Sequence, residues 1–146
     1  MASLTELVPD PLTPEQSKAQ VVDAARDVVR ALQLEVTRVV FWRASCNDQH
    51  EAPFRSVISI WYPTAPTLET SDAEVAEMIR RLQADGWTGD TEFASHGAAV
   101  AKHNVVAVLT PQAVGHKNRG IDLYGECRDV TTTKATVGST ERISLD

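Results

Sequence analysis

Two stretches of the sequence have the spacing of an amphipathic helix, and so few helices limit the folds open to this chain. The first begins at Pro14, where Thr13 and Gln16 have the spacing of a capping box. Four apolar residues then recur at spacings of four, three and four: Val21, Ala25, Val28 and Leu32. The charged residues between them predict a solvated side that carries two ion pairs, Asp23 with Arg26 and Asp27 with Arg30.

The second helix is predicted to begin at Ser71, which has the capping-box spacing to Glu74. Its apolar positions follow the helical repeat, at Val75, Met78, Ile79 and Leu82. Gly86 predicts a left-handed stop, and Trp87 is expected to fold back onto Leu82 in a Schellman closure.

The rest of the central chain predicts five strands: Val36–Arg43, Phe54–Tyr62, Phe93–Lys102, Val105–Pro111 and Ile121–Cys127. The second and fifth alternate between apolar and polar residues. The third and fourth are predicted to form a hairpin that turns at His103-Asn104, because asparagine tolerates a positive φ. The order α-β-β-α-β-β-β predicts an α+β fold, a mostly antiparallel five-stranded sheet with both helices on one face.

Length and composition predict one domain with two distinct ends. The chain has 146 residues, the usual size of a single domain. Residues 1–13 contain two of three closely spaced prolines and are expected to form a flexible lead-in. Residues 14–130 are predicted to form the α+β domain, and residues 131–146 a polar, threonine-rich tail.

Charge and hydropathy exclude two classes of protein. Twenty acidic residues against fourteen basic ones give a net charge of −6, which argues against a nucleic-acid-binding protein. The longest unbroken apolar stretch, Val105–Leu109, is far shorter than the ~20 residues that cross a bilayer. We therefore expect a soluble, mildly acidic domain with no nucleic-acid partner.

Cys46 and Cys127 are the two cysteines, and three interpretations of them are open: separate buried thiols, a catalytic cysteine with a spectator, or one disulfide. Neither belongs to a C-x-x-C motif, and two thiols are too few for a structural zinc site. Separate thiols would be typical of a cytosolic protein, and a disulfide of an exported one.

Few residues are candidates for catalysis. The sequence has no nucleophile elbow, P-loop or dinucleotide-binding motif. Ser95 and His96 with Asp122 could serve a hydrolase, and Cys46 with His50 a thiol enzyme. His96 and His103 could face each other across the hairpin as a weak metal or proton-linked site. We nevertheless expect no catalytic residues, no metal and no cofactor.

The residues around both cysteines resemble a known family. The matching blocks are Ser45-Cys46-Asn47-Asp48-Gln49, Pro53-Phe54-Arg55, Asp85-Gly86-Trp87, His96-Gly97, Lys102 and Gly125-Glu126-Cys127-Arg128. In this order they resemble the LppJ-type small mycobacterial cell-envelope lipoproteins, over roughly Leu12 to Thr133. The resemblance implies export and a lipid anchor on the outer side of the cell membrane, attached at a cysteine near the mature N-terminus. It implies no assigned activity.

The chain departs from the family pattern in two ways. It shows no signal peptide and no lipidation cysteine, so we expect an engineered soluble form. Its hairpin has His103-Asn104 where the family pattern favours Asn-Gly. The resemblance further implies a Cys46–Cys127 disulfide that joins the ends of the first and last strands, which should then lie side by side or nearly so.

We therefore predict a non-enzymatic domain that binds an envelope protein or a small envelope ligand. The candidate binding residues are Asn47, Asp48, Gln49, Arg55, His96 and Arg128. Two alternatives stay open. The loop after Cys46 could be a structural network in which Arg128 pairs with Asp48 or Glu51, or the whole domain could be structural and bind no ligand.

Overall fold

The computed structural model describes residues 10–47, 49–63, 65–89, 98–110 and 119–145. Within these ranges the chain forms two helices, α1 (Pro14–Leu32) and α2 (Leu68–Ala84). It also forms six strands, β1 (Arg38–Ser45), β2 (Phe54–Tyr62), β3 (Ala98–Lys102), β4 (Val105–Thr110), β5 (Arg119–Tyr124) and β6 (Glu141–Arg142). The strands make one antiparallel sheet in the order β3-β4-β5-β2-β1-β6, with both helices on one face. The predicted α+β class is confirmed.

The sixth strand was not predicted. Glu141 and Arg142 pair with Phe41 and Val40 at the edge of the sheet, and the next residue, Ile143, donates its backbone N–H to Val39 O at 3.1 Å. A strand of two residues is too short for its alternation to be detected in the sequence. The five-strand prediction was therefore one strand short.

Helix α1 begins as its capping signal predicts. Thr13 Oγ1 accepts the backbone N–H of Gln16 at 3.1 Å, and Gln16 Oε1 accepts that of Thr13 at 3.0 Å. The predicted apolar stripe is buried against β2, β4 and β5. This stripe and the sheet form one core with the apolar side of α2.

Helix α2 begins three residues before the predicted start. Its N-cap is Thr67, whose Oγ1 accepts the backbone N–H of Thr70 at 3.0 Å, and Ser71 lies buried inside the first turns. A second capping-type pair at Ser71 and Glu74 concealed the true start. The predicted end is confirmed, because Gly86 has a φ of 101° and Trp87 donates its backbone N–H to Leu82 O at 3.0 Å.

The strand registers confirm which residues share a face. Ile58 and Ile60 pair with Leu123 and Ile121, and all four are fully buried in the core. The β3–β4 hairpin turns at His103-Asn104 with φ values of 50° and 66°, as a two-residue hairpin turn requires.

Strand β5 ends at Tyr124, three residues earlier than predicted. Gly125 still donates its backbone N–H to Ser56 O at 2.9 Å, and the chain then bulges before Asp129 pairs with Phe54 at the start of β2. This bulge carries Cys127 towards the end of β1. The strands joined by the two cysteines are thus separated by β2 and are nearly, not directly, side by side.

Gly125 lies where the bulge meets α1, and we expect Gly125→Ala to destabilise the fold. A Cβ there would lie 3.0 Å from both Gln20 Oε1 and Val21 Cγ1. Such overpacking costs about 1–3 kcal/mol of the free energy of unfolding, which urea denaturation would measure.

The control is Gly89→Ala, whose Cβ would meet the flexible end of Gln83 at 3.3 Å. We expect this change to cost less than about 0.5 kcal/mol. Equal stability of the two variants would contradict a close approach of the bulge to α1.

Candidate functional site

A disulfide joins Cys46 to Cys127, with a Cα–Cα distance of 6.2 Å, and no free cysteine is present. The disulfide interpretation is therefore confirmed. A bonded sulfur has no thiolate to act as a nucleophile, so the prediction of a thiol enzyme that uses Cys46 was wrong.

Asn47 organises the loop that follows Cys46. Its Oδ1 accepts the backbone N–H groups of Gln49 at 3.0 Å and Glu51 at 3.1 Å, while its Nδ2 donates to the carbonyls of Glu51 and Ala52. Ser45 Oγ donates to the carbonyl of Glu51 at 2.6 Å. These contacts give Asn47 a structural role, whereas the side chain of Gln49 is exposed. Asp48 lies outside the described residues.

Arg128 lies on the helix side of the sheet. It donates to Glu126 Oε1 at 2.9 Å and to the carbonyl of Asp10 at 2.7 Å, and Gln20 of α1 holds the same Glu126 oxygen at 2.7 Å. The expectation that Arg128 pairs with Glu51 was therefore wrong. Its carboxylate partner is Glu126, the first acidic residue after β5.

Arg55 lies on the opposite face of the sheet, because it alternates with Phe54 along β2. Its guanidinium is 5.0 Å from the centre of the Tyr124 ring. Burial raises the pKa of Tyr124, helped by the charge of Asp122 and opposed by that of Arg55. The sheet thus separates Arg55 from Arg128. His96 and Ser95 lie outside the described residues, and the binding role of all six candidate residues stays a prediction.

A concave surface of about 490 Å³ lies beside the disulfide, and we call it the disulfide-end pocket. Its lining residues are Arg43, Ala44, Ser45, His50, Phe54, Lys134 and Val137. Three of them can carry positive charge and none is acidic. The guanidinium of Arg43 lies 5.0 Å from the centre of the Phe41 ring and donates to Pro14 O at 3.3 Å. Its buried Nε makes no hydrogen bond to any described residue.

Asp27 is the charged residue whose surroundings differ most from the sequence prediction. Its side chain is 15% exposed, not solvated as predicted. Trp87 Nε1 and Lys102 Nζ each donate to Oδ2 at 3.0 Å, and Arg30 donates to Oδ1 at 2.6 Å. The helical spacing shows only the Arg30 pair. Trp87 and Lys102 do stand within the blocks that resemble the family, but nothing in those blocks indicates their contact with Asp27.

Lys102 also contacts Asp85, at 2.7 Å to its carbonyl and 3.3 Å to its carboxylate. Hydrogen bonding to Asp27 raises the pKa of Lys102 against the effect of burial. Burial works to raise the pKa of Asp27, but Asp85, Lys102, Trp87 and Arg30 together lower it to about 2. These charges satisfy one another, so we interpret the cluster as a structural link between α1, α2 and β3.

Neither metal ligands nor a membrane span emerge from the described ranges. No three histidine, cysteine, aspartate or glutamate side chains within them are grouped as metal ligands would be. Neither helix has the length and apolar character needed to cross a bilayer.

Comparison with known proteins agrees with the resemblance seen in the sequence. A family described as "Putative lipoprotein LppJ" matches residues 13–146. The chain belongs to the LppJ lipoprotein family. LppJ lipoproteins from two strains of Mycobacterium tuberculosis and from Mycobacterium bovis are each 32% identical to it over 122 residues.

The match covers 83% of this chain and 64% of each relative. The chain thus spans less than two thirds of the length of these LppJ relatives. No solved structure matches it.

The lowered pKa of Asp27 predicts a pH-dependent contribution to stability. Because the pKa falls from 3.8 to about 2 on folding, the contribution is complete above pH 4 and is lost as the pH falls towards 2. Asp27→Asn should therefore lower the free energy of unfolding by about 2 kcal/mol at pH 7 and by much less near pH 2, as measured by urea denaturation.

Asp23→Asn is the control, since Asp23 is on the same helix, is 75% exposed and pairs with Arg26 at 3.6 Å. It should change stability by less than about 0.5 kcal/mol at either pH. A loss in Asp27→Asn that is the same at pH 7 and pH 2 would show that the charge of Asp27 is not what stabilises the fold.

Proposed function

We propose that this domain is the exported, non-catalytic binding module of a lipid-anchored envelope protein, and that it binds a small oxyanion-bearing molecule in the disulfide-end pocket. Membership of a lipoprotein family supports the anchor and the export. The disulfide supports a location outside the reducing cytoplasm.

The observation that carries the proposal is the lining of the pocket, where Arg43, His50 and Lys134 meet no acidic side chain. The protein as a whole has a charge of −6, so a pocket lined by arginine, lysine and histidine with no acidic side chain in its lining is unusual on its surface. Positive side chains that converge in a concavity attract and orient an anion. We therefore infer that the ligand carries a phosphate or carboxylate group.

Arg43 is the anchor of the proposed site. Only one hydrogen bond of its guanidinium is seen in the described ranges, the long one to Pro14 O at 3.3 Å. The nearby carboxylate of Glu141 is held by Lys18 at 2.5 Å. Hydrogen bonding to Lys18 lowers the pKa of Glu141, with a smaller effect from the charge of Arg43. Arg43 thus keeps donors for a ligand.

The walls of the pocket limit the rest of the ligand. Phe54 and Val137 add apolar surface beside the cations, which suits a small ring or short chain next to the oxyanion. The disulfide and the contacts of Asn47 fix the loop on one side of the pocket. A wall that is already ordered reduces the entropy lost on binding.

The same geometry supports binding without catalysis. Ser45 is the hydroxyl of the pocket, and it donates to the carbonyl of Glu51 at 2.6 Å, not to a histidine. A serine nucleophile needs a base in hydrogen-bonding contact. No observation favours the alternative hydrolase, whose Ser95 and His96 lie outside the described residues.

Calorimetric titration of the oxidised protein tests this proposal, with phenyl phosphate as the probe and phenol as its neutral counterpart. We expect one phenyl phosphate to bind per chain and phenol not to bind. Arg43→Ala should weaken the affinity about tenfold or more, because it removes a charged hydrogen bond, and Lys134→Ala several-fold.

Arg80→Ala is the matched control, since Arg80 is a 74% exposed cation that pairs with Glu77 on α2. It should bind phenyl phosphate as the unaltered protein does. Equal affinity in the Arg43, Lys134 and Arg80 variants would contradict the proposed site. Hydrolysis of phenyl phosphate that is lost in Ser45→Ala would contradict the non-catalytic role.

A further inference from the structure

The side of the sheet that faces away from both helices carries arginine and tryptophan side chains near its β6 edge. Side chains alternate along a strand, so the neighbours of the buried Phe41 lie on that outer side. The register places Arg142 of β6 beside Val40, and Trp61 of β2 beside Arg38. We call four side chains on that side the outer patch, namely Arg38, Trp42, Trp61 and Arg142. None of them lines the disulfide-end pocket, so whatever the outer patch binds is additional to the ligand proposed above.

The two tryptophans of the outer patch are partly exposed, unlike the third tryptophan of the chain. The Trp61 ring extends over Gly120 of β5, where a Cβ would lie 3.8 Å from Trp61 Cδ1. The guanidinium of Arg38 lies 5.4 Å from the centre of the same ring. By contrast, Trp87 is 2% exposed and donates to Asp27 inside the fold. An indole that is partly on the sheet and partly in water is typical of a residue at a boundary between an apolar and an aqueous phase.

The outer patch has an excess of positive charge. Arg38 and Arg142 are both exposed, and neither makes an ion pair with any described residue. A third arginine, Arg55 of β2, lies on the same side of the sheet. Among the described strand residues on this side there is one acidic side chain, Asp122, and Ser59 Oγ donates to it. This side is therefore cationic in a protein whose total charge is −6.

Helix α2 contributes part of the negative charge, and it does so far from the outer patch. It has four acidic residues against two arginines. Its solvated side lies about 10 Å or more behind the sheet, because that is the diameter of a helix with its side chains. At about 0.15 M salt the Debye length is about 8 Å, so the charges on that side are largely screened at the outer patch. An anionic surface that approaches the sheet therefore meets the arginines first.

We propose that the outer patch lies on an anionic phospholipid bilayer, with Arg38 and Arg142 at lipid phosphates and the two indoles at the level of the headgroups. Tryptophan is enriched at that level because its ring is apolar and its N–H is polar. The planar guanidinium fork matches the geometry of a phosphate. The sheet would then face the membrane, and the acidic helix α2 would face away from it.

Two other occupants are less well supported. A second copy docked face to face would bring Arg38 and Arg142 against the same two arginines, and such like charges repel. An acidic protein would also meet the arginines. The lipid anchor proposed above favours the bilayer, because it would hold the domain beside one. The choice of a bilayer thus rests in part on that anchor, whereas contact between the outer patch and lipid can be measured without it.

Tryptophan fluorescence of the oxidised chain tests this proposal. The probes are vesicles of phosphatidylglycerol and phosphatidylcholine in equal amounts, compared with vesicles of phosphatidylcholine alone. On the anionic vesicles we expect the emission to shift to shorter wavelength and to be quenched by brominated lipids. Partition should be about tenfold or more stronger than onto the neutral vesicles, since each arginine near anionic lipid contributes about fivefold. At about 1 M salt, where the Debye length is about 3 Å, partition should be lost.

The buried tryptophan supplies an internal control. A double variant with Trp42→Phe and Trp61→Phe retains Trp87 as its one tryptophan. Because Trp87 is buried in the core, its emission should neither shift nor be quenched when vesicles are added. A shift in this variant as large as that of the unaltered chain would show that the signal does not come from the outer patch.

Charge reversals make the test specific. Arg142→Glu should weaken partition onto anionic vesicles about tenfold or more, because it replaces an attraction by a repulsion. Arg80→Glu, the reversal of a 74% exposed arginine on α2, should leave the partition unchanged. Because Arg142 is exposed, Arg142→Glu should keep the melting temperature of the unaltered protein. It should also keep the affinity for phenyl phosphate, which depends on the disulfide-end pocket.

Several results would overturn the proposal. These are equal partition onto neutral and anionic vesicles, equal behaviour of the Arg142 and Arg80 variants, or no partition onto either kind of vesicle. Polyglutamate that binds as tightly as the anionic vesicles would assign the outer patch to an acidic protein. Self-association that is abolished by Arg142→Glu without lipid would assign it to a second copy of the chain. Loss of vesicle binding in Arg43→Ala alone would place the lipid phosphate in the disulfide-end pocket.

Discussion

The bond between Cys46 and Cys127 is the constraint on which one whole end of the domain depends. It ties the end of β1 to the chain that continues from β5 alongside the start of β2. Because 81 residues separate the cysteines, the bond restricts the unfolded chain and so adds roughly 4–5 kcal/mol to the free energy of unfolding in the chain-entropy model. The pairing of Phe54 with Asp129 and the loop held by Asn47 both lie next to this bond. The disulfide-end pocket is assembled around the same point, so its shape depends on this covalent link.

Interactions between neighbours in the sequence were predictable, and contacts between distant segments were not. The helix cap at Thr13 and the helix end at Gly86 each depend on residues within one helical turn, so both can be recognised in the sequence. Strand β6 exists only because β1 offers it an edge. Asp27 has helical spacing typical of a solvated residue, yet Trp87 and Lys102, 60 and 75 positions later, enclose it. No local pattern carries that information.

The candidate site was predictable in location but not in composition. The blocks around the cysteines lie at the end of the sheet where the disulfide-end pocket is found, and Ser45 borders both the predicted loop and the pocket. Arg43 precedes those blocks and Lys134 follows them, and only the folded chain brings the two together. Conversely, Arg55 and Arg128 were grouped by nearness to the cysteines in sequence, whereas alternation along β2 puts them on opposite sides of the sheet.

Amide hydrogen exchange, compared between the oxidised and the reduced protein, is the most direct test of the role of the disulfide. It shows whether the bond stabilises the end of the sheet around Cys46 and Cys127 while the core stays folded without it. On reduction we expect the amides of Phe54 and Asp129 to lose protection, because each donates to the carbonyl of the other between the two ends that the disulfide joins. The amides of the β2–β5 ladder around Ile58 should stay protected. Unchanged protection everywhere, or a loss that is uniform along the chain, would contradict this division of the fold.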